Sequence, residues 1–338
     1  MHKKLMRKHW WFLSLVFAVF ELRGQDPHFT QYYANPLYLN PAFAGSEICP
    51  RFSMNYRNQF PNFGAYQTYS ASYDQYVDAV KGGLGLLILR DDAGNGTLTT
   101  TEMSGIYSYH LKVSRKFTVL AGFQGTLRSR ALNWGDFTFP DQIDPFYGFV
   151  LPSSEVPPGS TTNTHFDLSF GAMGYTKNFY LGLAMHHITQ PNEAFFSTSA
   201  LPSKFTVHAG ANIPLSKRRL HNEVLNYLIP NITFQTQGPF GDIFALGSFM
   251  QVNYSMAFMR NGIAGGLGFR QNSNNIDALL INFGFMPEGQ AWRIGYSYDY
   301  TISEFSNAGG GAHEIALAYQ FPCRVKKKRL QAIKCPKF

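Results

Sequence analysis

The sequence is poor in cysteine, in charge and in long apolar runs, and each shortage excludes something. Three cysteines among 338 residues (Cys49, Cys323 and Cys335) are too few for a disulfide framework, and none sits in a Cys-x-x-Cys or Cys/His grouping with zinc spacing. They lie towards the two ends of the chain, which leaves one bridge and free thiols both open. Charged residues make up 15% of the chain, whereas a soluble domain carries about a quarter. No apolar stretch approaches the ~18 residues of a membrane-spanning helix. Nor is there a Gly-x-Ser-x-Gly elbow, a His-Glu-x-x-His pair or a P-loop, so no nucleophile–base or metal-hydrolase constellation supports an enzyme. No cofactor motif is present either: Gly83-Leu84-Gly85 lacks the third glycine of a dinucleotide loop, and Asp91-Asp92-Ala93-Gly94-Asn95-Gly96 lacks the far acidic ligand of a calcium loop and reads as a hairpin turn.

What is abundant is aromatic: Phe, Tyr and Trp reach 16%. The formal net charge of +8 resides at the two ends. Residues 1–24 hold five Lys/Arg and one Glu, and residues 322–338 hold seven Lys/Arg and no acid. Without these ends 17 basic residues remain against 20 acidic ones, so a nucleic-acid-binding face is not indicated. Met1 to about Gly24 has the form of a secretory leader, with Lys3, Lys4, Arg7 and Lys8 before the apolar run Trp10–Phe20, and Gln25 is the expected mature start. The basic tail, with Lys326, Lys327, Lys328 and Arg329 in a row, reads as a solvated periplasmic segment and a candidate partner contact.

From Arg51 onward the pattern has period two. Trp292, Ile294, Tyr296, Tyr298 and Tyr300 share one face of a strand and Arg293, Gly295, Ser297 and Asp299 the other. Leu279, Ile281, Phe283 and Phe285 repeat this, as do Phe179, Leu181, Leu183 and Met185. About fourteen segments of this kind follow one another, over 51–60, 64–74, 82–90, 98–111, 116–130, 165–176, 178–187, 204–213, 227–236, 242–256, 261–270, 276–286, 291–300 and 311–321. Most are about ten residues, the length of a tilted strand crossing a bilayer. A soluble sandwich or lipocalin-like barrel also alternates, but the leader, the strand number and the terminal aromatics favour the outer membrane. The expectation is an all-β, transmembrane antiparallel β-barrel over 51–321 with both ends in the periplasm.

Short connections at Lys112–Arg115, Thr176–Asn178, Ala257–Asn261 and Pro287–Gln290 then fall on the periplasmic side, and the longest, 131–164, falls outside. Two periplasmic connections, Gln75–Lys81 and Pro214–Asn226, are longer than the rule; the second carries Lys217, Arg218 and Arg219, further candidate partner contacts. His186 and His187, being adjacent on a strand, are expected to face opposite sides. Arg293 and Asp299 are expected to join a polar lumen network.

Before the strands stands Asp26–Ser46, DPHFTQYYANPLYLNPAFAGS. Pro36 and Pro41 each lack a donor and push Asn35 and Asn40 towards extended or turn conformations, so residues 25–50 read as an extended aromatic segment at or in the periplasmic mouth. This segment, with Tyr56-Arg57-Asn58-Gln59 and Pro61, Ser70–Asp74, Gly82–Gly94 and Gly310–Phe321, resembles the blocks of the PorP/SprF family in the family's order. The motif positions are Asn35, Pro36, Asn40, Pro41, Gly45, Tyr56, Arg57, Asn58, Gln59, His313 and Glu314; Phe60, where the family favours Trp, and the Cys-containing tail depart from the pattern. The resemblance implies a non-enzymatic, cofactor-free outer-membrane component of type IX secretion and gliding in a Bacteroidota-type bacterium. Its implied partners are outer-membrane lipid, a secreted adhesin or its C-terminal domain, and periplasmic ring or motor-linked proteins. The rival reading is a diffusion channel or porin-like transporter.

Overall fold

The computed structural model describes residues 25–64, 66–215, 226–238, 249–273, 276–286, 291–302 and 309–322. Fourteen strands form the barrel: β1 Arg51–Gln59, β2 Tyr66–Val77, β3 Gly82–Ala93, β4 Leu98–Lys112, β5 Thr118–Leu132, β6 Thr162–Tyr175, β7 Phe179–His186, β8 Ser203–Ala211, β9 Asn226–Gly238, β10 Phe249–Arg260, β11 Ile263–Asn272, β12 Ile276–Phe285, β13 Trp292–Thr301 and β14 Ala312–Gln320. Each pairs antiparallel with its neighbours in sequence. The first and last strands close the wall, from Arg51 opposite Gln320 to Gln59 opposite Ala312. Closure leaves no free edge, the condition for a sheet in lipid.

Burial follows the alternation. On β13, Trp292, Ile294, Tyr296 and Tyr300 are exposed to the bilayer side, while Ser297, Asp299 and Thr301 are buried inside. On β7, Phe179, Leu181 and Leu183 point out, and Tyr180, Gly182, Ala184 and His186 point in. Large apolar residues thus lie outside and small or polar ones inside, the inverse of a soluble protein. Trp292, Tyr319 and Phe321 pack together at the end where the chain enters and leaves the barrel, with centroids 4.5 and 4.8 Å apart, as an interfacial girdle requires. The short turns share that end, which is therefore the periplasmic one.

Two turns differ from the sequence reading. β10 continues to Arg260, and the hairpin turns on Asn261-Gly262 with φ of 52° and 80°, the two left-handed residues of a type I′ turn. The apolar alternation of Ala257–Met259 belongs to the strand. β2 likewise extends to Val77, and one 3₁₀ turn over Asp78–Val80, ended by left-handed Lys81, makes this periplasmic connection short after all. Most of Pro214–Asn226 lies outside the described residues, as do Lys217, Arg218, Arg219, residues 1–24 and the tail beyond Pro322. The long outer connection between β5 and β6 carries a small hairpin of its own, Ile143–Asp144 against Gly148–Phe149.

Candidate functional site: a barrel filled by its own N-terminal segment

Residues 25–50 occupy the lumen along most of its height. They reach beyond the periplasmic mouth where the sequence placed them, and they are not extended. Three single helical turns follow one another, Tyr32–Ala34, Pro36–Leu39 and Pro41–Phe43. Pro36 and Pro41 each sit at the first helical position, where a missing N–H costs nothing, so they start turns as well as prevent longer helices. Asn40 is extended, as expected before proline, and its Oδ1 accepts from Ala42 N at 2.9 Å, capping the third turn. Its Nδ2 donates across the lumen to Leu183 O at 3.0 Å and lies 2.9 Å from His208 Nε2. Asn35 Nδ2 donates to Ser70 Oγ at 3.0 Å. Leu37, Leu39, Ala42 and Phe43 bury against Leu87, Ile106, Leu120 and Met173 of the wall.

The fit depends on missing side chains. A Cβ on Gly122 would lie 2.3 Å from Ala42 N, and one on Gly83 would lie 1.9 Å from Ala44 O. The wall must be bare there for the segment's backbone to approach. Gly45, at φ 68°, turns the chain towards β1 and donates its N–H to Asp74 at 2.8 Å.

Three ionic groups hold the segment at three levels. At the periplasmic end Arg51 pairs with Asp74 at 2.9 Å, and Arg293 lies 3.5 Å from Glu47. Higher up, Arg57 of β1 and Glu314 of β14 lie directly opposite each other. Arg57 pairs with Glu314 at 3.2 Å and with Asp299 at 2.8 Å, and Arg270 pairs with Asp299 at 2.8 Å. Glu314 accepts from the Thr30 and Gln31 backbones at 2.7 and 2.9 Å, and Thr30 Oγ1 donates to Asp299. In the outer half, Asp26 pairs with Arg128 at 3.2 Å and His187 at 2.6 Å, with Lys204 Nζ 3.8 Å away. Arg128 also pairs with Glu102 at 2.8 Å, and Arg130 with Glu193 at 2.9 Å.

The predicted motif residues divide by face. Asn35, Pro36, Asn40, Pro41 and Gly45 shape the segment, and Arg57 and Glu314 grip it. Tyr56 faces out against Tyr69, with centroids 5.0 Å apart, and His313 bonds the Tyr296 hydroxyl at 2.8 Å on the outer face. Asn58 and Gln59 end β1 at its outer end and are half-buried. Arg293 and Asp299 do join the lumen network. Cys49 is disulfide-bonded, and the other two cysteines lie outside the described residues.

The outer cluster was not anticipated. His187 takes a positive φ of 58°, which breaks the strand's alternation and turns its ring inward beside His186, so the two histidines do not face opposite sides. A usable signal existed for the others: Arg128 is in phase with inward Gln124 and Thr126, and Lys204 with inward Thr206 and His208. Asp26 had no such signal, because nothing in the sequence placed the start of the segment at the outer end.

Both His187 nitrogens meet carboxylates, Nε2 at Asp26 and Nδ1 at Asp167, 2.7 Å away, which the imidazolium alone satisfies. Burial alone would push its pKa down; the Asp26 charge and the two hydrogen bonds outweigh this and raise it from 6.5 to about 9. For Asp26, burial pushes the pKa up, but His187 and Arg128 hold it well below the usual carboxylate value. A raised histidine stabilises below its unfolded value and loses that contribution as pH rises through about 9; a lowered carboxylate loses its contribution in acid. Thermal unfolding of the purified barrel is therefore expected to fall by several degrees as pH rises through about 9, and His187→Gln should flatten that alkaline limb. A Gly122→Val barrel should remain heat-modifiable, yet chymotrypsin should cut between Phe29 and Phe43 about tenfold faster than in the parent, because the segment is displaced.

Among curated proteins nothing matches the chain. Solved structures with a similar fold include the Ralstonia pickettii toluene transporter TbuX, 10% identical over 85% of this chain and 93% of that one with a TM-score of 0.46. The CymD monoaromatic hydrocarbon channel is 9% identical over 86% and 93%, with a TM-score of 0.48. The Acinetobacter baumannii outer membrane protein Omp33 is 11% identical over 82% and 100%, with a TM-score of 0.42. Residues 21–319 match the family model of the type IX secretion system membrane protein PorP/SprF. With that match covering the segment inside the lumen and the barrel to within one residue of its end, this chain belongs to the PorP/SprF family and is an outer-membrane component of type IX secretion.

Proposed function

We propose that the protein is a non-enzymatic adaptor of the secretion and gliding machinery, holding or helping to deliver secreted surface proteins rather than passing solutes. The observation that carries this reading is the filled lumen: the N-terminal segment and its ionic contacts occupy the path a diffusion channel would use. The remaining surfaces for work are the two rims. On the outer rim, the 133–161 connection has four acidic residues and no Lys or Arg, and its hairpin leaves Phe146 91% and Tyr147 80% exposed, with Phe149 and Val150 beside them. An aromatic cluster so exposed is the kind of patch that marks a protein contact. Outward loops thus suit a secreted adhesin's C-terminal domain. Periplasmic connections, including Lys217–Arg219, and the basic tail with Lys326–Arg329 suit ring or motor-linked proteins.

Crosslinked capture of the tagged protein from secreting cells, read by mass spectrometry, tests this. The parent protein should recover a secreted protein's C-terminal domain together with periplasmic ring components. Replacing the 143–151 hairpin by a Gly-Ser turn should reduce the first about tenfold and leave the second. Recovery of nothing beyond abundant barrels would return the reading to a channel.

A further inference from the structure

The short periplasmic turns on one side of the barrel carry unbalanced charge. From β2 to β7 the connections 78–81, 113–117 and 176–178 hold Lys81, Arg115, Lys116 and Lys177, and β4 ends on Lys112, against the single acid Asp78. All five cations are exposed. Neither Lys81 nor Lys112 is in an ion pair among the described residues. Behind these two lysines, inside the periplasmic mouth, is a pocket of about 320 Å³. Tyr76 of β2, His110 of β4, Thr118 of β5 and Tyr175 of β6 line one side, and Ser46 and Ile48 of the N-terminal segment line the other. The pocket ends inward where His110 Nε2 donates to Ala44 O at 3.0 Å and the bare Gly83 meets the same carbonyl, so it opens to the periplasm. No carboxylate lines it.

We propose that this pocket is a docking site, complete only when the N-terminal segment is seated, for an acidic segment of a periplasmic protein. The partner seats one bulky apolar side chain among Tyr76, Tyr175 and Ile48 and lays its carboxylates against Lys81 and Lys112. The space equals that of roughly ten water molecules, enough for one aromatic side chain and too small for a folded element. Uncompensated cations beside an apolar recess attract an anionic partner and repel a cationic one, and so disfavour the chain's own tail with its Lys326–Arg329 run. Position separates a protein from a lipid headgroup. Tyr76, His110 and Thr118 are in phase with the buried lumen residues Asp74, Ser108 and Leu120, so the recess lies on the lumen side of the wall and not on the leaflet side. Because Ser46 and Ile48 form one side, docking and seating of the segment favour each other, by the reciprocity of linked equilibria.

This rests on the reading that periplasmic machinery engages the barrel, and the test separates the two. Fluorescein-labelled Asp-Glu-Phe-Glu-Asp is titrated against the full-length purified barrel and read by anisotropy. It is expected to bind about tenfold tighter than Asp-Glu-Gly-Glu-Asp, which lacks the apolar side chain, and Lys-Lys-Phe-Lys-Lys is expected not to bind. Reversing the rim charge with Lys81→Glu and Lys112→Glu together should weaken binding about tenfold, as should Thr118→Trp, which fills the recess. Gly122→Val, which keeps the pocket wall and every lysine but displaces the segment, should weaken it by a similar factor. Heat-modifiable migration checks that each variant is folded. Equal binding of the Phe and Gly peptides, indifference to any of these substitutions, or displacement of the peptide by phosphatidylglycerol vesicles would overturn the inference, the last assigning the site to a lipid headgroup. In secreting cells the rim-reversed variant should capture about tenfold less of the periplasmic components and as much of the secreted C-terminal domain. Undiminished capture of both, with peptide binding selective in the purified protein, would leave the pocket standing and sever it from the machinery. Recovery of neither partner even by the parent would overturn the adaptor reading alone.

Discussion

Arg57 and Glu314 meet across the seam where the barrel closes, and the remainder of the interior is arranged around that pair. Neither charge reaches water. A buried ion pair is tolerable only when its remaining hydrogen-bonding capacity is also met, and removing one partner costs about 3–5 kcal/mol. Here the completing donors for Glu314 are the Thr30 and Gln31 amides, while Asp299 (itself held by Arg270), Thr30 Oγ1 and His28 Nε2 surround the terminal nitrogens of Arg57, whose Nε is left without a hydrogen bond. The seam and the N-terminal segment thus satisfy each other: closing the sheet positions the carboxylates, and the segment supplies the N–H groups they lack.

The same mutual dependence recurs at every level of the lumen. Bare glycines admit the backbone of the Pro41–Ala44 turn, Asn40 replaces the hydrogen bonds that a helix would have made internally, and Asp26 draws together cations from two strands and a loop. A wall this specific to one segment is unlike the wet, unspecific interior of a diffusion pore. It leaves the two rims as the surfaces on which partners can act.

The barrel itself was readable because a bilayer imposes one pattern on every strand: apolar out, small or polar in, about ten residues, then a turn. All fourteen strands appear near their expected places. The errors fall where that pattern gives no information. Asn261-Gly262 marks a tight turn by backbone conformation rather than by hydropathy, and the apolar residues before it blur the boundary. His187 leaves the alternation through one positive φ. The three turns of the N-terminal segment depend on proline at a helix start, which the sequence expresses in the same letters as proline that forbids a helix. Arg57 and Glu314 were recognisable as motif members, yet their shared purpose required knowing that β1 and β14 are neighbours in this register. Asp26 lay furthest from legibility, since its partners come from strands and loops far along the chain and its position depends on how far up the lumen the segment runs.

The most direct measurement is solute entry into liposomes containing the purified barrel, comparing the parent with a variant whose residues 27–44 are removed and whose heat-modifiable fold is retained. A lumen closed by its own N-terminal segment predicts no size-dependent swelling for the parent and clear swelling, graded by solute size, for the deletion. Equal swelling by both would show that the segment does not close the barrel and would contradict the account.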